Sequence, residues 1–254
     1  MKITRHCLRV KYPLELVDFY GTVLGMRNYG DRNNPMLGYH PGQCLLELTG
    51  GAEHDYHAEA DALYWKIGIT LRDLDSAVNV LRDNGHAVSD PQQFRNIGYM
   101  SHLKDPQGFS IELLQQGFEG RESDPGRGHP VGGQATLAHV TLRVNDIDAA
   151  REHCENRLGM RLMSVQPVEE YGFCLYFFGW SNEKLPISDL EAVGNREWLW
   201  ARPYALLELQ HIYAGGIQPA SSDEGQAGFA GFAWQSSVSG THNYVPTYVM
   251  NEWL

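Results

Sequence analysis

The chain has 254 residues, 43% hydrophobic and 20% charged, which suits one large globular domain or two modest ones and excludes a disordered or collagen-like polymer. Its 20 Lys and Arg stand against 31 Asp and Glu. The resulting net charge of -11 would repel a phosphate backbone or an anionic bilayer, so a small molecule is the expected partner, with no nucleic acid and no membrane.

In chain order, the first predicted elements are a strand around Leu8-Arg9-Val10 and a helix carrying Leu16, Phe19, Tyr20, Val23 and Leu24 on one face, stopped by Gly25. A short apolar strand around Leu45-Leu46-Glu47-Leu48 closes this unit. Residues 62–116 follow the same order. They read as a strand over 67–71, a helix capped by Asp75 with Val78 and Leu81 facing inward and Asn84-Gly85 at its end, an Asp105-Pro106-Gln107-Gly108 turn, and a strand over 109–114. Residues 117–134, rich in Gly, read as a linker.

The third unit, about 135–213, repeats the words of the first. Leu142-Arg143-Val144 matches Leu8-Arg9-Val10 and Leu158-Gly159-Met160 matches Leu24-Gly25-Met26, both offset by 134 positions. Leu206-Leu207-Glu208-Leu209 matches Leu45-Leu46-Glu47-Leu48 at an offset of 161, so the second copy carries 27 extra residues before its last strand. Beyond Gly215 one apolar string, Gly231-Phe232-Ala233-Trp234, marks a truncated fourth unit with no helix after it. The predicted fold is α+β, tandem βαβββ modules forming cupped mixed sheets. A first domain covers 1–116, a linker 117–134, and a second domain, one expanded module plus a remnant, 135–254.

These strings, with His139-Val140-Thr141-Leu142-Arg143-Val144 and Asp105-Pro106-Gln107-Gly108-Phe109-Ser110-Ile111-Glu112, resemble the vicinal oxygen chelate superfamily, and within it glyoxalase I. The resemblance implies a metal-dependent lyase or isomerase working through an enediolate on a small oxygenated or glutathione-conjugated substrate. A divalent metal (Zn, Ni, Mn or Fe) would sit in a cup between paired modules. Carried over residue by residue, it makes His139, Glu208 and Glu112 the metal ligands, with Glu112 and Glu208 the catalytic carboxylates. Arg143, Arg9 and Lys66 become substrate-binding residues.

In the register of His139 the first two modules carry Arg5 and Lys66, and the remnant carries Gly231. His6 falls on the opposite strand face. Arg5 with Glu47 and Lys66 with Glu112 would neutralise each other, so a metal-free small-molecule binding protein with an ion-paired cup is the competing expectation. An extradiol-type dioxygenase is the third, lacking a second His at Lys66. Lys66 could also hold an enolate by its own charge.

Three further features are bland on this view. The polar stretch Glu53, His54, Asp55, His57, Glu59 and Asp61 reads as a solvated connector, and Trp198 and Trp200 in the insertion read as a lid or a pocket wall. Cys7, Cys44, Cys154 and Cys174 lack metal or redox spacing. With no membrane-length apolar run and no signal-peptide pattern, a reducing cytoplasm is expected. Because the remnant leaves the third module short of a partner, a homodimer exchanging modules is expected.

Overall fold

A computed structural model of the chain describes residues 1–121, 129–221, 223, 225–235 and 242–254. The first module consists of β1 (Lys2–Arg9), α1 (Pro13–Asp18), β2 (Arg27–Asn28), β3 (Met36–Gly38) and β4 (Leu45–Thr49). The second has β5 (Tyr64–Leu71), α2 (Leu74–Asp83), β6 (Gln92–Phe94), β7 (Gly98–Lys104) and β8 (Ser110–Gln115). In the third, β9 (Thr136–Val144) and α3 (Ile147–Glu152) lead to β10 (Arg161–Val168), β11 (Phe173–Gly179), the insertion helix α4 (Arg196–Trp200) and β12 (Leu206–Ile212). The remnant is a hairpin, β13 (Gly228–Gln235) and β14 (His242–Pro246), followed by α5 (Thr247–Met250). A helix does therefore follow the remnant's first strand, but it is a single turn after a hairpin.

The repeat extends to backbone detail. α1 continues into a wider π-helical turn at Phe19–Val23, and α3 does so at His153–Arg157. Each then ends at a left-handed glycine, Gly25 at φ +72° and Gly159 at φ +65°, a conformation without steric penalty only for glycine. The cap of α2 is Asp73, whose carboxylate accepts from Ser76 N at 2.9 Å, and not Asp75. Asp75 lies inside the first turn and accepts from Tyr99 Oη at 2.8 Å. Its expected end holds, with Gly85 at φ +82°.

Two sheets carry the molecule. The six-stranded sheet has the order β14-β13-β1-β4-β3-β2 and the eight-stranded sheet the order β10-β11-β12-β9-β5-β8-β7-β6. The third module thus pairs with the second through β5 and β9, and the remnant pairs with the first through β1 and β13. Both sheets contain strands from before and after the linker. The ground for expecting module exchange between subunits is therefore gone, because the third module finds a complete partner within the chain.

Leu8, Val10 and Leu48 of the first sheet share one buried core with Ile69, Val140 and Leu209 of the second. Alternation along the strands sends the intervening residues to the opposite face. On the eight-stranded sheet that face is a concave cup. All four cysteines are free and buried, and among the described residues no helix is long and apolar enough to cross a membrane.

Candidate active site

Strand register assembles the cup floor. Arg5, Lys66 and His139 each stand two residues before the position paired with the last-strand carboxylate of their module, so the repeat alignment is reproduced in space. Across the eight-stranded sheet, Gly68 lies between Glu112 on β8 and His139 on β9. Lys66 is opposite Thr141, which is itself opposite Glu208. A Cβ at position 68 would run into the His139 imidazole, so glycine is what lets that ring lie across β5 towards Glu112.

The floor is a buried charge cluster. Lys66 Nζ is in direct contact with Glu112 Oε2. His139 Nε2 lies 3.2 Å from Glu112 Oε1 and 3.2 Å from Glu208 Oε2. Thr141 Oγ1 donates to Glu208 Oε2 at 2.8 Å. Burial alone would raise the Glu112 pKa, but the Lys66 ammonium and the His102 and His139 rings outweigh it and hold the carboxyl well below its usual range.

His102 Nε2 stands 3.2 Å from Glu112 Oε2, a contact not anticipated above. Its signal was available in the sequence, since His102 and Glu112 lie at equal distances on either side of Gln107 in the Asp105-Pro106-Gln107-Gly108 turn and pair across the β7–β8 hairpin. Above the floor is a cavity of about 200 Å³. Phe94, Met100, Leu114, Phe173, Phe177 and Trp200 supply most of its wall, with Gln92 as a polar member.

Trp200 is thus a wall of the cup, fixed by its Nε1–H donating to Ile97 O at 3.0 Å and by an edge contact with Phe177 at 5.1 Å. The insertion is anchored by buried Arg196, which donates to Asn96 O and Oδ1. Trp198 instead lies under Arg202, 4.4 Å from ring to guanidinium.

The remaining candidates fall elsewhere. Arg143 is outside the cup wall; it stacks over Trp65 at 4.9 Å and donates to Gln210 Oε1, Glu59 O and Ala62 O at 3.2, 3.1 and 3.4 Å. Arg9 is on the other sheet, donates to Asp223 O at 3.4 Å, and lines a separate cleft with His54, Asp55, His57 and Glu59. His6 is buried in the core, and desolvation, helped by His139, lowers its pKa to about 3, so it is neutral. In the first module Arg5 pairs with Glu47 at 3.0 Å, and the remnant places Gly231 opposite Cys7.

The donors expected to hold a metal are brought together, but they do not form a coordination shell. An ammonium occupies Glu112 where a fourth ligand would stand. Repulsion between it and a divalent ion ~4 Å away, about 8 kcal/mol at an effective dielectric of ~20, cancels the attraction of one of the two carboxylates. Among the described residues no three His, Cys, Asp or Glu side chains are placed to hold a metal ion. The donor set does not fit a divalent metal.

Four strands, β5, β8, β9 and β12, thus carry a buried acid–base cluster under an apolar cavity. Residues 2–113 match the model of the Glyoxalase/Bleomycin resistance protein/Dioxygenase superfamily. Glyoxalase I from Zea mays has the same fold, with a TM-score of 0.66 at 20% identity over 91% of this chain and 73% of that one.

In sequence, the "Probable lactoylglutathione lyase, chloroplastic" of Arabidopsis thaliana is 28% identical over 202 residues, covering 73% of this chain and 53% of the relative. The lactoylglutathione lyase of Escherichia coli O157:H7 is 29% identical over 139 residues, covering 50% of this chain and 98% of the relative. The chain spans between about half and two-thirds of the length of the plant relatives it matches.

Proposed function

We propose that the cup between the second and third modules is the active site of a glyoxalase-like lyase or isomerase that moves a proton between adjacent carbons of a small oxygenated substrate. The observation that carries this is the convergence of Lys66, Glu112, His139 and Glu208, all nearly inaccessible to solvent, on the floor of an apolar cavity. The names of the sequence relatives support the reaction class.

No step requires a metal. Lys66 has three N–H donors, one of them engaged by Glu112, which leaves it able to donate to a substrate oxygen as that oxygen gains negative charge. Glu208, steadied by Thr141, takes the proton from one carbon and returns it to the next. His139, between the two carboxylates, relays the hydroxyl proton between the two substrate oxygens. Glu112 holds Lys66 and His139 in place.

The test is proton exchange at the substrate carbon in D2O, with untagged protein, using the glutathione–methylglyoxal adduct and free α-hydroxycarbonyls, with and without EDTA. Chelator-resistant exchange that falls ~10²–10⁴-fold in Glu208→Gln is expected. No exchange on either class would overturn the proposal. A second reading, a metal-free binding protein, is favoured by the ion pairs Lys66–Glu112 on the cup floor and Arg5–Glu47 at the equivalent position of the six-stranded sheet. It expects saturable binding without exchange.

A further inference from the structure

We infer that the molecule taken by this cup is a free, neutral aryl α-hydroxycarbonyl and not a thiol conjugate, an inference that rests on the proton-transfer reading above. Three observations carry it.

The first is size and lining. A cavity of about 200 Å³ is smaller than the ~300–1,000 Å³ of ordinary ligand pockets, so it encloses a single ring and a short polar arm, not a peptide. Phe94, Phe173, Phe177 and Trp200 offer ring faces and edges to an aromatic guest. The wall's polar groups are largely spent: Trp200 Nε1–H is on Ile97 O and His102 Nε2 is beside Glu112 Oε2. Gln92 is the exception, one amide at the edge of the lining.

The second is the missing counter-charge for a glutathione carboxylate. Arg143 is the cation in the register where the resemblance places that contact, but its Nε and Nη1 are committed to Gln210, Glu59 and Ala62, and it does not line the cavity. Arg9 lines a different cleft on the other sheet. Among the described residues lining the cavity, Lys66 is the one Lys or Arg, and it is paired.

The third is the charge and order of the floor. One ammonium against the carboxylates of Glu112 and Glu208 opposes an anionic guest. A neutral guest with a carbonyl towards Lys66 and a neighbouring hydroxyl towards Glu208 matches the donor and acceptor in sequence across the floor. The reaction balances without a co-reactant. The C–H proton passes through Glu208 to the adjacent carbon, the hydroxyl proton moves to the former carbonyl oxygen, and an aryl hydroxyaldehyde becomes the isomeric hydroxyketone.

The probe is 2-hydroxyacetophenone. Its methylene protons are followed by NMR in D2O with the whole chain, and its binding by quenching of tryptophan fluorescence; the glutathione–methylglyoxal adduct is run in parallel. Saturable binding and protein-dependent exchange of the hydroxyketone are expected. Exchange should fall at least ~100-fold in Glu208→Gln while binding stays within about threefold.

If the adduct is turned over while the hydroxyketone neither binds nor exchanges, the substrate class is wrong and the proton-transfer reading survives. Binding of the hydroxyketone with no exchange on either compound supports the ligand class and overturns the reaction. If neither compound binds or exchanges, both fall.

Discussion

Replacing Gly68 with alanine adds one methyl group at the centre of the cup floor. That methyl would overlap the His139 ring, which is 1% exposed and flanked by Phe177 and Trp200, so the imidazole can give way only by turning towards the cavity and leaving its place between the carboxylates. Overpacking of this kind costs about 1–3 kcal/mol. Losing a flexible glycine from a strand returns ~0.5–1 kcal/mol. Gly68→Ala should therefore destabilise the chain by roughly 1–2 kcal/mol and displace His139 from Glu112 and Glu208.

In a His139→Ala background the overlap disappears, and the same substitution becomes neutral or stabilising by up to ~1 kcal/mol. The double-mutant cycle thus has a coupling energy of about 2 kcal/mol, read from urea denaturation of the four proteins. An equal effect of Gly68→Ala in both backgrounds would refute the account of the floor.

Lys66→Met leaves Glu112 a buried carboxylate with only the His102 and His139 rings beside it and should cost up to ~3–5 kcal/mol by denaturant unfolding, largely restored in Lys66→Met/Glu112→Leu; a loss below ~1 kcal/mol would count against a tight pair. Because the Glu112 pKa is depressed on folding, the stabilisation it contributes is present above its ordinary value of 4.5 and lost as pH falls through the folded value, so the wild type should lose more stability in acid than the double variant.

Asp105 shifts the other way. Burial outweighs its bonds from Phe109, Tyr20 and Gln107 and raises its pKa from 3.8 to about 6. Its contribution is full below 3.8 and declines as pH rises through about 6, on the order of 3 kcal/mol, a slope that Asp105→Asn should remove. A carboxyl titrating near 4 by carbon NMR would contradict this.

Arg196→Ala unfastens the insertion from Asn96 and should hasten proteolysis between residues 180 and 205 while changing Trp200 fluorescence. Dialysis against EDTA should leave the melting temperature unchanged. A fall reversed by Zn, Ni, Co or Mn would restore the metal to the site.

Much of this protein is written locally. The repeated strings placed three modules, and because a strand alternates its faces every residue, the register of His139, Lys66 and Arg5 against Glu208, Glu112 and Glu47 followed without the structure. The ends of the helices followed too, since Gly25, Gly85 and Gly159 adopt backbone angles that other residues avoid. His102 escaped notice although hairpin symmetry about Gln107 pointed to it. The cap of α2 was misplaced by two residues because Asp73 and Asp75 are chemically identical candidates, and only the turn decided which one met Ser76 N.

Tertiary structure decided which modules share a sheet. The antiparallel contacts of β5 with β9 and β1 with β13 join residues far apart in the chain, through backbone hydrogen bonds that carry little sequence signature. That choice set Lys66 against Glu112 beside His139, sent Arg9 to another cleft, and gave Gly68 its purpose. Local rules determine which side chains share a strand face. Which faces meet depends on the packing of the whole chain, and the chemistry of the cup lies in that meeting.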